Sequence, residues 1–368
     1  MKFMNDLMQF IDINPIVEKA KELNCPYIGI IGGKGTGKTY GCVNYAIQDF
    51  FAGNSKRPFF YVRNYDKTFT PSICGNLVNC HRQDIINLSK GKYNKCEFKG
   101  KVYTLMNEKE NALGIRSRAN RDIIGYCRSL NNVETETGDD KGEISCIIYD
   151  EFLTRGSEIK DCFLKLQIIH NNATRNRTSR FVPFFMLGNT VSRDSAVAEQ
   201  FGIRMRDLKR GLNIFKNSKG DTRILLYYTP ETANNVEAAA TYYDRFENNR
   251  INMISRGDWV LGSYNIAPYD MLFSRGFTAK FYYNRVAVNA TISVKGINPF
   301  LLIRKPSNNY NIAISPYHGK NNLQVIPKIF IDLVKRGNLY AETSELGEDF
   351  RDICKHIVNG MDIVKYIE

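Results

Sequence analysis

YIGIIGGKGTGKTYG, residues 27–41, joins a short apolar run to a loop built from glycine, lysine and threonine. The loop, Gly32–Thr39, matches the pattern G-x-x-x-x-G-K-[ST], in which the glycines let successive backbone N–H groups turn toward phosphate oxygens. The apolar run predicts a buried strand, and the residues from Lys38 onward predict a helix, whose positive N-terminal end also favours phosphate. The stretch therefore predicts a nucleoside triphosphate site in an α/β fold, against the alternative of a ligand-free glycine-rich turn.

Two residues of this loop have predicted chemical roles. Lys38 is expected to reach the β- and γ-phosphates, as a catalytic residue and a nucleotide ligand, and Thr39 to hold Mg²⁺. The nucleotide-binding residues predicted from the loop are Gly32, Gly33, Lys34, Gly35, Thr36, Gly37, Lys38 and Thr39.

A second apolar strand, EISCIIYDE (143–151), ends in two adjacent acids. Asp150 stands where a phosphate-loop protein needs a carboxylate for the nucleotide's Mg²⁺, and Glu151 is expected to activate the attacking water as general base. A pair of acids in a solvated turn is the alternative. A glutamate next to the aspartate favours ATP hydrolysis with an internal base and fits poorly with signalling GTPases, which orient water with a glutamine.

The next apolar strand, FVPFFMLGN (181–189), ends in Asn189, which is expected to contact the γ-phosphate of the nucleotide. Upstream of it, Arg175, Arg177 and Arg180 lie in NNATRNRTSR. One of them, with Arg175 favoured, is expected to reach the γ-phosphate of a neighbouring subunit as an arginine finger. Binding of DNA phosphates and simple solvation remain open for these arginines.

The spacing of strands and helices predicts the domain organisation. Apolar strands that alternate with helices predict a mostly parallel sheet covered on both faces, and a hairpin is expected over 96–105 with its tip at Lys99–Lys101. We expect an ATPase motor domain over 1–229, a helical linker over 230–258 and a basic β-rich domain over 259–368.

Composition narrows the classes of partner. The net charge of +13 favours a polyanionic partner, with a solvated basic surface as the alternative. No apolar run reaches the length of about 20 residues that spans a bilayer, so no membrane partner is expected. The nine cysteines form no CxxC pair and no signal peptide is recognised, which predicts a soluble intracellular protein with reduced thiols.

The C-terminal part is poor in acids. Between Trp259 and Ile331 the sequence has one carboxylate, Asp270, against eight basic residues. Two-metal cleavage of DNA needs several converging acids, so we expect this part to bind a nucleic-acid backbone without cutting it. An uneven spread of surface charge is the alternative. The basic residues are Arg275, Lys280, Arg285, Lys295, Arg304, Lys305, Lys320 and Lys328.

Several basic segments of the motor domain compete as DNA contacts, and no sequence feature chooses among them. Aromatic residues are not interleaved with these segments as in single-strand binders, which favours duplex backbone contact. The candidates are Lys90, Lys92, Lys95, Lys99 and Lys101 around the hairpin, Arg116, Arg118 and Arg121, then Arg204, Arg206, Lys209 and Arg210, and finally Arg63 and Lys67 after the second strand.

Six motifs in a fixed order carry a resemblance to a known family. They are GGKGTGKTYG, FFYVRNYDK, CEFKGKVYTL, CIIYDEF, ATRNRTSR and MLGNTVS, within residues 25–195. Together they resemble the genome-encapsidation, or DNA-packaging, ATPases of small tailed phages that have linear genomes and protein-primed replication.

The resemblance implies a P-loop fold of the additional-strand, catalytic-glutamate class and a ring of five copies. Such a ring docks at the portal of an empty capsid in the cytoplasm of the infected bacterium and pumps double-stranded DNA inward. The resemblance also implies that Arg175 acts across the subunit interface, that the C-terminal domain resembles an inactive RNase H-like nuclease, and that a structured packaging RNA is a candidate partner. A second basic residue acting in trans has only Lys141 as a candidate, because the segment VETETGDDKGE is more acidic than expected.

The sequence therefore predicts an ATPase that translocates duplex DNA with ATP and Mg²⁺. Another nucleic-acid ATPase, such as a helicase or a terminase, is the alternative, and a phage morphogenesis ATPase that acts on protein is a third possibility. Hydrolysis stimulated by duplex DNA, without strand separation, distinguishes the first from the other two.

Overall fold

A computed structural model gives the fold and divides the chain into two compact units, Met1–Trp259 and Val260–Glu368. Of the predicted linker helix, 230–258, residues 231–258 lie outside the described part of the chain. The structure describes residues 4–5, 8–33, 35–53, 56–110, 116–134, 141–153, 159–175, 181–190, 195–203, 205, 208–230, 264–283, 286–316 and 326–357.

The first unit is an α/β unit around one large sheet. Its strands are β1 (Met4–Asn5), β2 (Met8–Ile11), β3 (Tyr27–Gly32), β4 (Phe59–Arg63), β5 (Lys95–Lys99), β6 (Val102–Glu110), β7 (Arg116–Ser129), β8 (Ile147–Asp150), β9 (Phe184–Asn189), β10 (Gly211–Lys216) and β11 (Thr222–Tyr228). Its helices are α1 (Asn14–Glu22), α2 (Lys38–Phe51), α3 (Pro71–Asn79), α4 (Arg82–Leu88), α5 (Cys162–Thr174) and α6 (Ala196–Gln200).

Nine strands form the large sheet in the order β10-β11-β3-β9-β8-β4-β7-β6-β5. The six strands from β11 to β7 are parallel, and β10 at one end and the β5–β6 hairpin at the other are antiparallel. Strand β9 lies between β3, which leads into the phosphate loop, and β8, which ends in the acid pair. This inserted strand is the defining feature of the additional-strand class, so the predicted fold class is confirmed for the first unit.

Helices cover both faces of the sheet, as a parallel sheet requires. On one face Ile28 and Ile30 of β3 pack in a cluster with residues of α1 and α2, such as Val17 and Val43. On the other face the alternate residues of the strands pack against α5 and α6 in a second cluster. The two clusters hold β3, β9 and β8 rigidly side by side.

The hairpin prediction is confirmed. Gly100 (φ 56°) and Lys101 (φ 64°) form a two-residue turn with both residues in the left-handed region, which matches the twist of the flanking strands. Strand β7, over 116–129, was not predicted, because its first half is polar and basic and lacks the apolar alternation of a half-buried strand.

The second unit is a smaller α+β unit. Its strands are β12 (Asn265–Ile266), β13 (Phe277–Tyr283), β14 (Val286–Lys295), β15 (Asn298–Arg304), β16 (Ile312–Ile314) and β17 (Leu339–Ala341), and its helices are α7 (Lys328–Lys335) and α8 (Ser344–Cys354). The sheet order is β12-β17-β15-β14-β13-β16, with an antiparallel meander β13-β14-β15 and parallel pairing on either side of it. Helices α7 and α8 contribute Phe330 and Phe350 to the core of this unit.

The nine cysteines are free thiols, and all except Cys80 are buried. Within the described residues, no helix combines the length and the apolar character needed to cross a membrane.

Candidate active site

The loop after β3 curls as the sequence predicts. Gly35 (φ 84°) and Gly37 (φ 77°) both adopt the left-handed conformation that favours glycine, and the backbone N–H of Gly41 donates to the carbonyl of Gly37 at 2.8 Å as α2 begins. The Thr36 hydroxyl donates to the Gly33 carbonyl at 3.1 Å and braces the loop. Lys34 lies outside the described residues.

Gly32 is required for a different reason, which is close packing against the end of β11. A Cβ atom at Gly32 would lie 1.8 Å from Oγ1 of Thr229. Thr229 is itself buried, and its backbone N–H donates to the carbonyl of Ile31 at 2.8 Å. The phosphate loop can therefore leave β3 at this angle only if its first residue has no side chain.

Lys38 is buried at the start of α2 and folds back onto the loop. Its ammonium donates to the carbonyls of Gly32 (3.1 Å) and Gly33 (2.6 Å) and to the Thr36 hydroxyl (3.3 Å). Burial lowers the pKa of Lys38 to about 8, although the nearby carboxylate of Asp150 opposes this shift. A phosphate that accepts from this ammonium would raise its pKa.

Asp150 ends β8 opposite the loop. Burial raises the pKa of its carboxyl group, while a hydrogen bond from Tyr61 opposes that increase. The Tyr61 hydroxyl lies on the neighbouring strand β4, is buried, and donates to Oδ2 of Asp150 at 2.7 Å. Tyr61 was not predicted as a site residue; its presence in an apolar strand next to Arg63 gave no sequence signal of a polar role.

Glu151 follows Asp150 with a left-handed backbone (φ 63°), which is uncommon for a residue other than glycine. Its backbone N–H donates to Oδ1 of Asp150 at 3.1 Å, and its half-exposed carboxylate forms an ion pair with Arg63 at the end of β4. The sequence offered Arg63 as a DNA contact, whereas the structure places it against the predicted general base. A strained backbone at a strand end is typical of functional sites.

The predicted nucleotide residues of the described chain, except Gly32 and Gly33, converge on one cavity of about 330 Å³. Asn189 lines it from the end of β9, because that strand lies between β3 and β8. The cavity is lined by Gly35, Thr36, Gly37, Lys38, Thr39, Tyr40, Asp150, Glu151, Leu187, Gly188 and Asn189. Gly32 and Gly33 lie buried beneath the loop.

Arg175, the favoured arginine finger, does not line this cavity. Arg175 is exposed and ends α5, and Arg177 and Arg180 lie outside the described residues. Lys141 places its ammonium 5.2 Å from the ring centre of Tyr126, away from the phosphate cavity. The predicted trans role of these residues concerns the contact between two copies of the chain.

Several of the basic DNA candidates bind acids of the same chain. Lys101 pairs with Asp66 (2.7 Å), Lys95 with Glu108 (2.7 Å), and Arg118 with both Glu97 (2.8 Å) and Glu108 (3.0 Å). Lys99 at the hairpin tip is exposed, as are Lys90 and Arg121. Arg204 and Arg206 lie outside the described residues, as does the side chain of Arg116.

No protein-family model matches the sequence, and no curated protein matches it significantly. Among solved structures, the bacteriophage Phi-29 viral genome packaging motor assembly aligns over 94% of this chain and 100% of its own, with 17% identity and a TM-score of 0.51. The N-terminal domain of the DNA packaging ATPase from bacteriophage phi29 aligns over 61% of this chain and 98% of its own, with 20% identity and a TM-score of 0.46. The large terminase ATPase domain of Thermus phage P74-26 aligns over 64% of this chain, and 88% of its own, with 13% identity and a TM-score of 0.38. At such identities, the first of these likenesses shows a shared fold.

Proposed function

We propose that this chain, which shares the fold of the Phi-29 genome-packaging motor protein, is an ATPase that drives double-stranded DNA into a preformed capsid. One observation carries the proposal: strand β9 brings Asn189 into the same cavity as Lys38 and the acid pair of β8. A phosphate loop, two carboxylates and a neutral polar side chain at one edge of a parallel sheet are the components of nucleotide hydrolysis.

The residues of the cavity fit Mg²⁺ as well as a nucleotide. Mg²⁺ prefers hard oxygen ligands, and Thr39 and Asp150 offer a hydroxyl and a carboxylate to the same cavity. When bound, Mg²⁺ neutralises charge on the β- and γ-phosphates. Lys38 then exchanges the loop carbonyls for phosphate oxygens, and Asn189 contacts the γ-phosphate.

Glu151 is the group that takes the proton from the attacking water. Its half-exposed carboxylate is bound to Arg63 in this structure, so the pair has to separate before Glu151 can accept a proton. Arg63 is buried and stays with β4, so the movement falls on the Glu151 side chain.

The wider assembly is part of the same proposal. Copies of the chain form a ring at the portal of the capsid, in the cytoplasm of the infected bacterium, with a structured RNA as a further partner. Arg175 acts on the nucleotide of the neighbouring copy, which its exposed position at the end of α5 permits. The net charge of +13 suits a channel that holds DNA.

The test is hydrolysis of Mg-ATP by the purified chain, with and without duplex DNA. We expect duplex DNA to stimulate turnover, and Glu151→Gln to lower the stimulated rate by about 10²- to 10⁴-fold, the usual contribution of a general base. Glu143→Gln is the matched control, because Glu143 is exposed and does not line the cavity.

Two results would move the conclusion elsewhere. Strand separation during hydrolysis would favour a helicase. Hydrolysis that is indifferent to DNA, and that Glu151→Gln abolishes, would keep the ATPase and replace the translocase with an ATPase that acts on protein.

A further inference from the structure

One face of the sheet of the second unit packs against α7 and α8. The other face is apolar where Phe300 and Leu302 pack against Ala267 and Met271, and polar beside that cluster. Ala279, Phe281 and Leu301 point to the side of α7 and α8 and belong to the apolar core. Residues of the opposite face pair directly across neighbouring strands, so that Thr278 faces Thr291 and Asn289 faces Arg304. A sheet face that carries hydroxyl, amide and guanidinium groups is built for water or for a polar ligand rather than for a second layer of helices.

This polar face forms the floor of a groove of about 870 Å³. One wall is the segment Leu272–Gly276, and the other is formed by residues between Lys305 and Asn311. All the described residues that line the groove belong to the second unit.

The groove is cationic. Among the described lining residues, Arg275, Arg304 and Lys305 stand against one carboxylate, Glu342, which accepts a hydrogen bond from the backbone N–H of Lys305 at 3.1 Å. Asp270, the acid nearest along the sequence, lies outside the groove and pairs with Lys295 at 2.8 Å. The charge of the lining therefore selects an anion.

Two buried polar atoms of the floor lack a hydrogen-bond partner. Arg304 donates from one terminal nitrogen to the carbonyl of Ser274 at 2.5 Å, which fixes the guanidinium plane, yet its Nε has no acceptor. Asn289 donates from Nδ2 to the Ser307 hydroxyl at 2.7 Å, while its Oδ1 has no donor. One site thus lacks an acceptor and the other lacks a donor, and a ligand with both kinds of group would satisfy them.

The wall of the groove also presents an aromatic ring. Phe273 lines the groove with 67% of its surface exposed. The ring of Tyr269, which is 77% exposed, packs edge-on against it, with the two ring centres 5.0 Å apart. An exposed aromatic pair beside a basic groove is the arrangement by which proteins stack unpaired bases while cations hold the backbone. A base within a duplex has both faces covered by its neighbours and cannot offer one to Phe273.

We propose that this groove binds an unpaired nucleic-acid strand, with a base stacked on Phe273 and backbone phosphates on Arg275, Arg304 and Lys305. The proposal does not depend on ATP hydrolysis by the first unit. Asn289 Oδ1 would accept from a base amino group or from a ribose hydroxyl, so both DNA and RNA strands share the required chemistry.

The experiment measures binding of fluorescent twelve-nucleotide strands, oligo-dT and oligo-rU, and of a twelve-base-pair duplex, to the full chain by anisotropy without ATP. We expect Phe273→Ala to weaken binding of both strands by about tenfold, which is within the range for one stacked base, and to leave duplex binding unchanged. Lys305→Glu should weaken strand binding and lower its dependence on salt.

Two control variants match these changes in exposure and charge. Ile297→Ala removes an apolar side chain that is 93% exposed at the turn between β14 and β15, and Lys335→Glu reverses a charge on α7, on the covered face of the sheet. Neither residue lines the groove, so neither variant should change strand binding. Thermal unfolding of all four variants verifies that each is folded.

The outcomes separate clearly. Equal loss with both strands, or a larger loss with one of them, supports the groove. Strand binding that survives both Phe273→Ala and Lys305→Glu, or that falls equally in the controls, would overturn the proposal, as would a variant effect confined to the duplex.

Discussion

Tyr61→Phe tests whether Asp150 is ionised inside the cavity. The change removes one hydroxyl, which donates to Oδ2 of Asp150 at 2.7 Å, and leaves the buried ring in place. A hydrogen bond to a charged group contributes about 1.5–3 kcal/mol, and one pKa unit corresponds to about 1.4 kcal/mol. Losing it should therefore raise the pKa of Asp150 further above its ordinary value.

The sign of the pH effect follows from linkage. Burial already raises the folded-state pKa of Asp150, so its contribution to stability is greatest at low pH and is lost as the pH rises through that value. In Tyr61→Phe the folded-state pKa is higher still. At low pH the unfolding free energy of the variant should be close to that of the wild type, apart from a constant offset. At a pH above both pKa values it should be lower by a further amount of about 1.5–3 kcal/mol.

The measurement is the unfolding free energy of the first unit, or its thermal midpoint, followed across pH for both proteins without nucleotide. Tyr149→Phe is a close control, since Tyr149 precedes Asp150 and donates to the neutral amide of Asn64 at 2.7 Å. Its destabilisation should not depend on pH. If the difference for Tyr61→Phe is equally flat across pH, the carboxylate does not depend on this hydrogen bond and the reasoning is refuted. The acid limb of the ATPase pH profile should move upward in Tyr61→Phe alone.

Three further changes test other parts of the site. Lys38→Met should abolish hydrolysis. Because burial lowers the pKa of Lys38 to about 8 from a reference of 10.5, the wild type should also gain thermal stability relative to the variant as the pH rises from 8 to 10. A stability difference that does not change over this pH range would contradict the argument. Gly32→Ala should destabilise the chain by about 1–3 kcal/mol through the clash with Thr229, and Thr229→Gly in the same chain should recover most of that loss in a double-mutant cycle; simple additivity would exclude the clash. Arg175→Ala should be inactive alone but should regain turnover when it is mixed with inactive Glu151→Gln, because some interfaces in a mixed ring combine an intact glutamate with an intact arginine. A mixture as inactive as its components would place Arg175 outside the neighbouring site.

The sequence predicted the phosphate loop, the acid pair and Asn189 because each follows a strand of five or so apolar residues. Polar groups at the carboxyl ends of neighbouring parallel strands meet at one edge of the sheet, so their positions in the sequence imply their proximity. The structure brings these residues together in one cavity.

Tyr61 and Thr229 could not be predicted in the same way. The Tyr61 side chain alternates with core residues of β4, and only its register against β8 reveals that its hydroxyl reaches Asp150. Thr229 matters because β11 lies beside β3, a pairing between strands about 200 residues apart in sequence. Both depend on strand order, which a local pattern of apolar residues does not specify.

In the second unit, the paired acids of α8 and the cations of the groove lie on opposite sides of the sheet. Two acids of α8, which lies beyond Ile331, are held in ion pairs. The Glu348 carboxylate accepts from the Tyr264 hydroxyl at 2.8 Å and pairs with Arg351, and Asp352 pairs with Arg351 and Lys355, each at 3.2 Å. Glu348 and Arg351 are almost fully buried, so removing one partner alone would leave an uncompensated buried charge on the side of the sheet covered by helices. The groove on the opposite face keeps three cations against one carboxylate. A unit that pairs acids internally and presents its cations in a groove is suited to holding a polyanion. Phosphodiester cleavage would instead need those carboxylates to converge on a metal ion.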